Sequence, residues 1–166
     1  MKKLFQICTL QTTHQRFREG ELIEEWYGKY PNLFFPECYN LAKSQGRSKG
    51  NHFYEWLSAI IIYNSLGYNV LVEKYYMRNK HPIKYELFKQ RCPHDLFEYI
   101  MIPRTPATQP PDLFCYRNDT HGWFLCEIKG GNDTLKETQK KFFGEIEKLT
   151  GREIYLIEID KKKTFG

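Results

Sequence analysis

Two apolar runs, Asp112-Leu-Phe-Cys-Tyr-Arg117 and Trp123-Phe-Leu-Cys-Glu-Ile-Lys129, lie on either side of Asn118-Asp-Thr-His-Gly122. Aromatic and branched residues dominate both runs, as is typical of strands, whereas Asn, Asp and Gly favour a turn. The stretch therefore predicts a β-hairpin. It is the strongest local signal in the chain, and the remaining elements are arranged around it.

Side chains alternate across a strand, so Glu127 and Lys129 share one face while the opposite face carries an apolar set. That apolar set is Phe124, Cys126 and Ile128. With the turn near residues 118–122, Asp112 comes level with Glu127 across the hairpin. Two carboxylates held together repel each other unless a cation lies between them, and hard oxygen ligands suit Mg²⁺ or Mn²⁺. An ordinary surface salt bridge between Glu127 and Lys129, with Asp112 at a strand end, explains the same residues without a metal.

Glu55 lies on one helical stripe with three apolar residues, at spacings of 4, 3 and 4. The stripe should face the sheet, and a carboxylate pointed at the interior needs a partner. Glu55 is therefore a candidate third metal ligand, with a salt bridge or a favourable helix N-terminal charge as the alternative. His52, close to it in sequence, is a further candidate for metal binding or proton transfer.

The elements from residue 53 onwards alternate between helix and strand, which predicts an α/β fold with one central sheet. The helix that follows the hairpin should begin with a capping box formed by Thr134 and Glu137. The other predicted elements are a helix at Phe53–Leu66, a strand at Asn69–Tyr76, two short helices within Ile83–Met101 and a final strand at Arg152–Ile159. Residues 1–50 are harder to interpret, with a short helix at Glu21–Tyr30 as their clearest feature.

Composition excludes several classes of protein. A chain of 166 residues fits one domain, and no apolar run approaches the roughly 18–20 residues of a membrane helix, so we expect no membrane partner. The net charge of +5 falls to +2 once Lys161, Lys162 and Lys163 are set aside. Five cysteines without a Cys-x-x-Cys pair argue against a zinc site or a disulfide framework and favour an intracellular, reducing compartment.

The motifs Pro111-Asp112 and Glu127-Ile-Lys129 resemble the signature of the PD-(D/E)XK nuclease superfamily. The continuation Lys129-Gly-Gly-Asn-Asp-Thr-Leu135, followed by Gln139, resembles the VRR-NUC branch, although Gly131 replaces the usual Pro. The resemblance implies a restriction-endonuclease-like αβββαβ core, with a central mixed sheet flanked by helices. It places the nuclease domain at residues 51–166, with an insertion at 77–111. Residues 1–50 would form an extension of unknown role, packed on or next to the core.

The resemblance also implies hydrolysis of DNA phosphodiester bonds with Mg²⁺ or Mn²⁺. The implied catalytic residues are Asp112, Glu127, Lys129 and Gln139. The implied metal ligands are Glu55, Asp112, Glu127 and the backbone carbonyl of Ile128.

Stand-alone domains of the VRR-NUC type resemble structure-specific nucleases, so the expected substrate is branched DNA, such as a four-way junction, cut by a homodimer. Phosphate contacts from Lys and Arg would supply the binding energy. The candidate contacts are Arg47, Lys49, Lys74, Arg104, Lys136, Lys140 and Lys141. The Lys-, Asn- and Tyr-rich composition is typical of an AT-rich viral or bacterial genome.

Two alternatives to an active nuclease stay open. The first is a module with the nuclease fold that binds nucleic acid or protein without cutting. The second is an α/β domain in which the motif arises by chance, because an Asp followed by Glu-x-Lys is a short pattern.

Overall fold

The computed structural model describes residues 1–46, 49–103 and 108–162. Within these ranges the protein is α/β, with one five-stranded mixed sheet and seven helices. This architecture confirms the predicted α/β class with one central sheet. None of the helices in the described ranges is both long enough and apolar enough to cross a bilayer.

Strands and helices are interspersed along the described residues. The strands are β1 (Lys2–Leu10), β2 (Asn69–Val72), β3 (Leu113–Tyr116), β4 (Trp123–Gly130) and β5 (Tyr155–Lys162). The helices are α1 (Gln11–Arg18), α2 (Glu21–Lys29), α3 (Pro36–Gln45), α4 (Phe53–Leu66), α5 (Pro82–Arg91), α6 (His94–Met101) and α7 (Glu137–Thr150).

The sheet order is β1-β5-β4-β3-β2. Strands β2, β3 and β4 form an antiparallel meander, and the β3–β4 pair is the hairpin that the sequence predicts. Strand β5 pairs parallel with β4, and β1 pairs parallel with β5. Parallel neighbours need a crossover connection, and helix α7 supplies the one between β4 and β5.

Each face of the sheet is covered by its own set of helices and its own apolar core. On the first face, Phe124, Cys126 and Ile128 of β4 join buried residues of α1 to α4. On the second face, Leu125 of β4 packs with buried residues of α5, α6 and α7. The apolar set predicted for β4 is therefore confirmed, and a sheet buried on both faces explains why β3 is apolar at every position.

The segment before residue 50 shares this sheet and core. Strand β1 lies at the sheet edge, and Phe17, Leu22 and Cys38 bring α1, α2 and α3 into the first core. Helix α2 confirms the short helix predicted there. The sequence did not reveal β1, because an edge strand in which only Ile7 and Thr9 are buried lacks a clear alternation of apolar and polar residues.

Helix α4 agrees with its predicted bounds, and Gly67 ends it in the left-handed conformation, with φ of 71°. Two predicted strands were misplaced. Strand β2 ends at Val72 rather than Tyr76, because Glu73 and Lys74 adopt positive φ values of 52° and 51°. The final strand, β5, begins and ends three residues later than predicted.

The predicted capping box at the start of α7 was also wrong. The helix begins at Glu137, so Thr134 lies outside it. The Lys136 N–H instead donates to Oε1 of Gln139 at 3.1 Å, which satisfies a backbone donor at the first turn.

Candidate metal centre

The register of the β3–β4 hairpin brings two acidic residues together. Leu113 lies opposite Cys126, so Asp112 comes level with Glu127, as the sequence predicts. The Asp112 N–H donates to Glu127 Oε2 at 3.2 Å, and the Ile128 N–H donates to Asp112 Oδ2 at 2.9 Å. Both carboxylates are therefore oriented by backbone donors as well as by the pleat of the sheet.

Two further carboxylates reach the same place from other elements. Glu55 comes from the first turn of α4, and Glu73 follows the last residue of β2. One ligand oxygen each from Glu55, Glu73 and Asp112 lie within 4.8 Å of one another, an arrangement that could hold a metal ion. We call these three residues the acidic triad.

Sequence reasoning found two members of the triad and missed Glu73. It placed Glu73 inside a longer strand, where a single acid carries no information. The signal that was present is an acidic residue directly after the apolar run Val70–Val72. Glu127 lies beside the triad rather than within it, because its carboxylate is engaged by Lys129, Gln139 and the Asp112 N–H.

Contacts from three directions orient Glu73. Its N–H donates to the carbonyl of Asp112 at 2.8 Å, and its own carbonyl accepts a hydrogen bond from Lys84 Nζ at 2.8 Å. Its carboxylate contacts Nδ1 of His52, the residue that precedes α4. His52 therefore acts on the triad through Glu73, and the left-handed backbone of Glu73 is held by partners on both sides.

Burial, and in part mutual repulsion, shifts the pKa values of three acids in the centre upwards. Burial raises the pKa of Glu55 to about 8, and repulsion from Glu73 adds to that rise. Burial also raises the pKa of Asp112 well above its ordinary value, with repulsion from Glu127 and then Glu55 contributing. Burial likewise raises the pKa of Glu127, although the Lys129 ammonium opposes that rise.

Of these four carboxylates, Glu127 pairs with the Lys129 ammonium and Glu73 contacts His52. Hard oxygen donors held close together in a poorly hydrated site suit a hard divalent cation. The donor set therefore fits such an ion, which would replace repulsion by attraction.

Lys129 and Gln139 complete the arrangement. Lys129 Nζ lies 3.0 Å from Glu127 Oε1 and 3.3 Å from Asp133 Oδ2. Burial disfavours the charged form of Lys129, but attraction to Glu127 and Asp133 outweighs it, so the pKa of Lys129 is raised. Gln139 Nε2 donates to Glu127 Oε1 at 3.2 Å, which confirms that Gln139 faces this place.

Clefts open onto the centre from more than one side. A cleft of about 450 Å³ is lined by Lys49, Glu55 and Glu73, and one of about 180 Å³ by Glu73, Lys74 and Asp112. A third, of about 410 Å³, is lined by Lys129 and Lys140. The three residues of the acidic triad thus line clefts, whereas Glu127 is buried.

The basic residues predicted to contact nucleic acid are distributed unevenly. Lys49, Lys74 and Lys140 line clefts beside the centre, and Lys140 also pairs with Glu137 at 3.0 Å. Lys136 and Lys141 are exposed near the start of α7. Two others, Arg47 and Arg104, lie outside the described residues.

Ile128 differs from the other predicted ligands because its side chain is buried in the first core. Its N–H donates to Asp112, which places its backbone beside the triad.

Comparison of the chain with protein-family models, with curated proteins and with solved structures found no match.

Proposed function

We propose that this protein is an endonuclease that uses Mg²⁺ or Mn²⁺ to hydrolyse DNA phosphodiester bonds. The observation that carries the proposal is the convergence of four carboxylates from α4, β2, β3 and β4 beside Lys129. Structural salt bridges do not need this excess of acids, whereas a cation that binds phosphate does. The ordinary ion-pair explanation accounts for Glu127 and Lys129 but not for Glu55, Glu73 and Asp112.

The order of elements also supports the proposal. Helix α4, strands β2, β3 and β4, helix α7 and strand β5 follow one another as αβββαβ, with α5 and α6 inserted between β2 and β3. This is the order that the resemblance to the PD-(D/E)XK superfamily implies. In that arrangement the acids at the ends of β2, β3 and β4 and at the start of α4 meet at one edge of the sheet.

Glu55, Glu73 and Asp112 would hold the ion, with the Ile128 carbonyl and Glu127 as further oxygen donors. Bound there, a divalent cation would lower the pKa of a bound water and offset the negative charge of the phosphate. Asp112 is oriented by the Ile128 N–H, and Glu73 by the Asp112 carbonyl, so the ligands are positioned before any ion arrives.

Lys129 acts as a charge rather than as a base in this proposal. Its raised pKa keeps the ammonium protonated at neutral pH, beside the carboxylates that would hold the ion. It can therefore stabilise negative charge that develops on the phosphate. Gln139 holds Oε1 of Glu127 and so positions the carboxylate that orients Lys129.

Binding of DNA would depend on the ion and on lysines around the centre. The acids repel phosphate until a cation reverses the local charge. Lys49 and Lys140, which line clefts beside the centre, and Lys136, just before α7, would contact the DNA backbone. Contacts of this kind select DNA by shape and deformability rather than by base sequence, which favours a branched substrate. A homodimer would place two centres on a two-fold junction.

The test is incubation with plasmid, flap, fork and four-way-junction DNA in Mn²⁺, with EDTA as the metal-free arm. We expect cleavage in Mn²⁺, none in EDTA, and loss of cleavage in Lys129→Ala and Asp112→Asn. Lys89→Ala, an exposed lysine on α5, is the matched control and should cut normally. Cleavage that persists in Lys129→Ala would reveal a contaminating nuclease and contradict the assignment. Binding of DNA in Mn²⁺ without cleavage would identify a binding module instead.

A further inference from the structure

We propose that a second site, at the opposite end of the β3–β4 hairpin, binds the phosphate group of a nucleotide. The site is a cleft of about 410 Å³ whose lining includes Arg91, Arg117, Arg152, Tyr116, Trp123 and His121, and we call it the basic cleft. Tyr116 and Trp123 pair across the hairpin four residues from Asp112 and Glu127. At about 3.4 Å per residue, the two sites lie roughly 14 Å apart along the strands.

The charge of the basic cleft is the opposite of that of the candidate metal centre. It brings together three arginines that are distant in sequence, from the end of α5, the end of β3 and the loop before β5. None of the described residues that line it carries a carboxylate. Within the described part of the chain, none of the three arginines forms an ion pair. The site therefore attracts anions, and more than one negative charge is needed to balance it.

Aromatic rings hold the three guanidinium groups in place. Arg152 lies 4.8 Å from the ring centroid of Trp123, Arg91 lies 5.4 Å from that of Tyr116, and Arg117 lies 4.5 Å from that of Tyr68. Arg117 Nη2 also donates to the Leu66 carbonyl at 2.9 Å, and Arg152 Nη1 donates to the Trp123 carbonyl at 3.0 Å. Each contact uses a ring face or one donor, so most of the guanidinium N–H groups are left for a ligand.

This arrangement suits phosphate in particular. The planar guanidinium matches phosphate oxygens with paired N–H donors, and a side chain held by a ring loses little freedom when a ligand binds. A carboxylate ligand would balance only one of the three arginines. The volume of the cleft also exceeds that of a bare phosphate, so it can accept an attached nucleoside, whose base can stack on an exposed guanidinium plane.

The ligand has two sources, a free nucleotide or a nucleotide within a strand. The experiment therefore measures binding of AMP, inorganic phosphate and a short single-stranded oligonucleotide to the full chain. All measurements are made in EDTA, so that metal-dependent binding at the acidic triad makes no contribution. The result thus stands apart from the nuclease proposal, since loss of nuclease activity would leave this binding unchanged.

We expect AMP or the oligonucleotide to bind, with an affinity that falls as salt rises. Arg91→Gln and Arg152→Gln should each weaken binding by about tenfold, because each removes charged hydrogen bonds. Both arginines are exposed, so the fold should survive, and circular dichroism checks that it does. Lys89→Gln removes the same charge from the same helix as Arg91 but lies outside the cleft, and it should bind as the unmodified chain does.

The arms separate the outcomes. Binding of AMP that both arginine variants weaken supports a site for free nucleotides. Binding of the oligonucleotide alone, weakened in the same way, supports a site for a strand. If neither AMP nor the oligonucleotide binds, the proposal is overturned. It is also overturned if Lys89→Gln loses as much binding affinity as the arginine variants, because the ligand would then respond to overall positive charge. Inorganic phosphate that binds as tightly as AMP would overturn recognition of a nucleoside.

Discussion

Glu73 shows how one residue can acquire its role from its surroundings. Non-glycine residues rarely adopt positive φ, and when they do the surrounding structure must hold them there. Glu73 has a φ of 52°, its N–H donates to the Asp112 carbonyl, and its own carbonyl accepts a hydrogen bond from Lys84 Nζ. This conformation ends β2 and turns the Glu73 carboxylate towards Glu55 and Asp112.

The first prediction concerns the affinity of the triad for Mn²⁺. Glu73→Gln should lower that affinity by about tenfold or more, because changes outside the direct ligands already cost about 10–100-fold. Isothermal titration with Mn²⁺ measures the effect. Glu86→Gln, an exposed acid on α5, is the matched control and should bind Mn²⁺ unchanged. If Glu73→Gln binds Mn²⁺ as tightly as the unmodified chain, Glu73 is not a metal ligand.

The second prediction concerns Gly130, the last residue of β4. A Cβ atom there would lie within 3.0 Å of three ring atoms of Tyr54, which precedes Glu55 in α4. Gly130→Ala should therefore displace the ring and lower the free energy of unfolding by about 1–3 kcal/mol, as overpacked core positions do. Urea denaturation measures this change.

Gly144 provides the control for that substitution. It lies in the interior of α7 with open space around it, so Gly144→Ala should stabilise the chain by about 0.5–1 kcal/mol. A stabilising Gly130→Ala would mean that Tyr54 moves aside without cost.

At the scale of elements, α5 stabilises the end of β2 through hydrogen bonds from Lys84. Lys84 of α5 is fully buried, and its Nζ donates to the carbonyls of Val72 and Glu73 at 2.7 and 2.8 Å. Glu37 of α3 accepts the Ile83 and Lys84 N–H groups at the start of α5. Helices from both faces of the sheet thus support the turn that carries Glu73.

The third prediction tests this support. Lys84→Met keeps the bulk of the side chain but removes the donor from two carbonyls, and a buried acceptor without a partner costs about 1–3 kcal/mol. We therefore expect a lower free energy of unfolding together with weaker Mn²⁺ binding, since Glu73 loses one of its anchors. Lys89→Met, exposed on the same helix, should change neither quantity. Unchanged Mn²⁺ affinity in a folded Lys84→Met variant would show that Lys84 does not position Glu73.

For the whole molecule, the charge of the candidate metal centre couples stability to pH. Burial raises the pKa of Glu55 from an ordinary value of 4.5 to about 8, so the folded chain holds a proton that the unfolded chain releases. The resulting stabilisation is fully present below pH 4.5 and is lost as pH rises through 8. Metal binding has the opposite dependence, because the ligands must be deprotonated.

The fourth prediction follows from these opposite pH dependences of folding stability and metal binding. In EDTA, the midpoint temperature of thermal unfolding should decrease as the pH is raised from 6.5 to 8. Mn²⁺ should increase that midpoint temperature, and by more at pH 8 than at pH 6.5. The window lies mostly above the range in which His81 contributes, because burial lowers the pKa of His81 from 6.5 to about 4. Glu55→Gln should flatten the dependence in EDTA. A midpoint in EDTA that rises with pH would contradict the charge balance described for the centre.

Local patterns in the sequence were sufficient for several features of this protein. They located α4 and the β3–β4 hairpin, and they placed Asp112 level with Glu127. Helical and strand periodicities report which face a residue occupies, and the turn residues set the register of a hairpin. These features depend on residues close together in the chain, so the chain itself carries the signal.

Tertiary structure alone decided the rest. Four features depend on partners that are distant in the chain. They are the position of β1 at the sheet edge, Glu73 in the triad, Lys84 beside Glu73 and the three arginines of the basic cleft. Neither the positive φ of Glu73 nor the burial of the Lys84 ammonium against two carbonyls produces a periodic pattern in the sequence, because the partners that stabilise them lie on other elements. Local patterns were enough to predict the α/β class and the hairpin with its paired acids. Packing between distant elements then assembled those acids with Glu73 into a centre able to hold a cation.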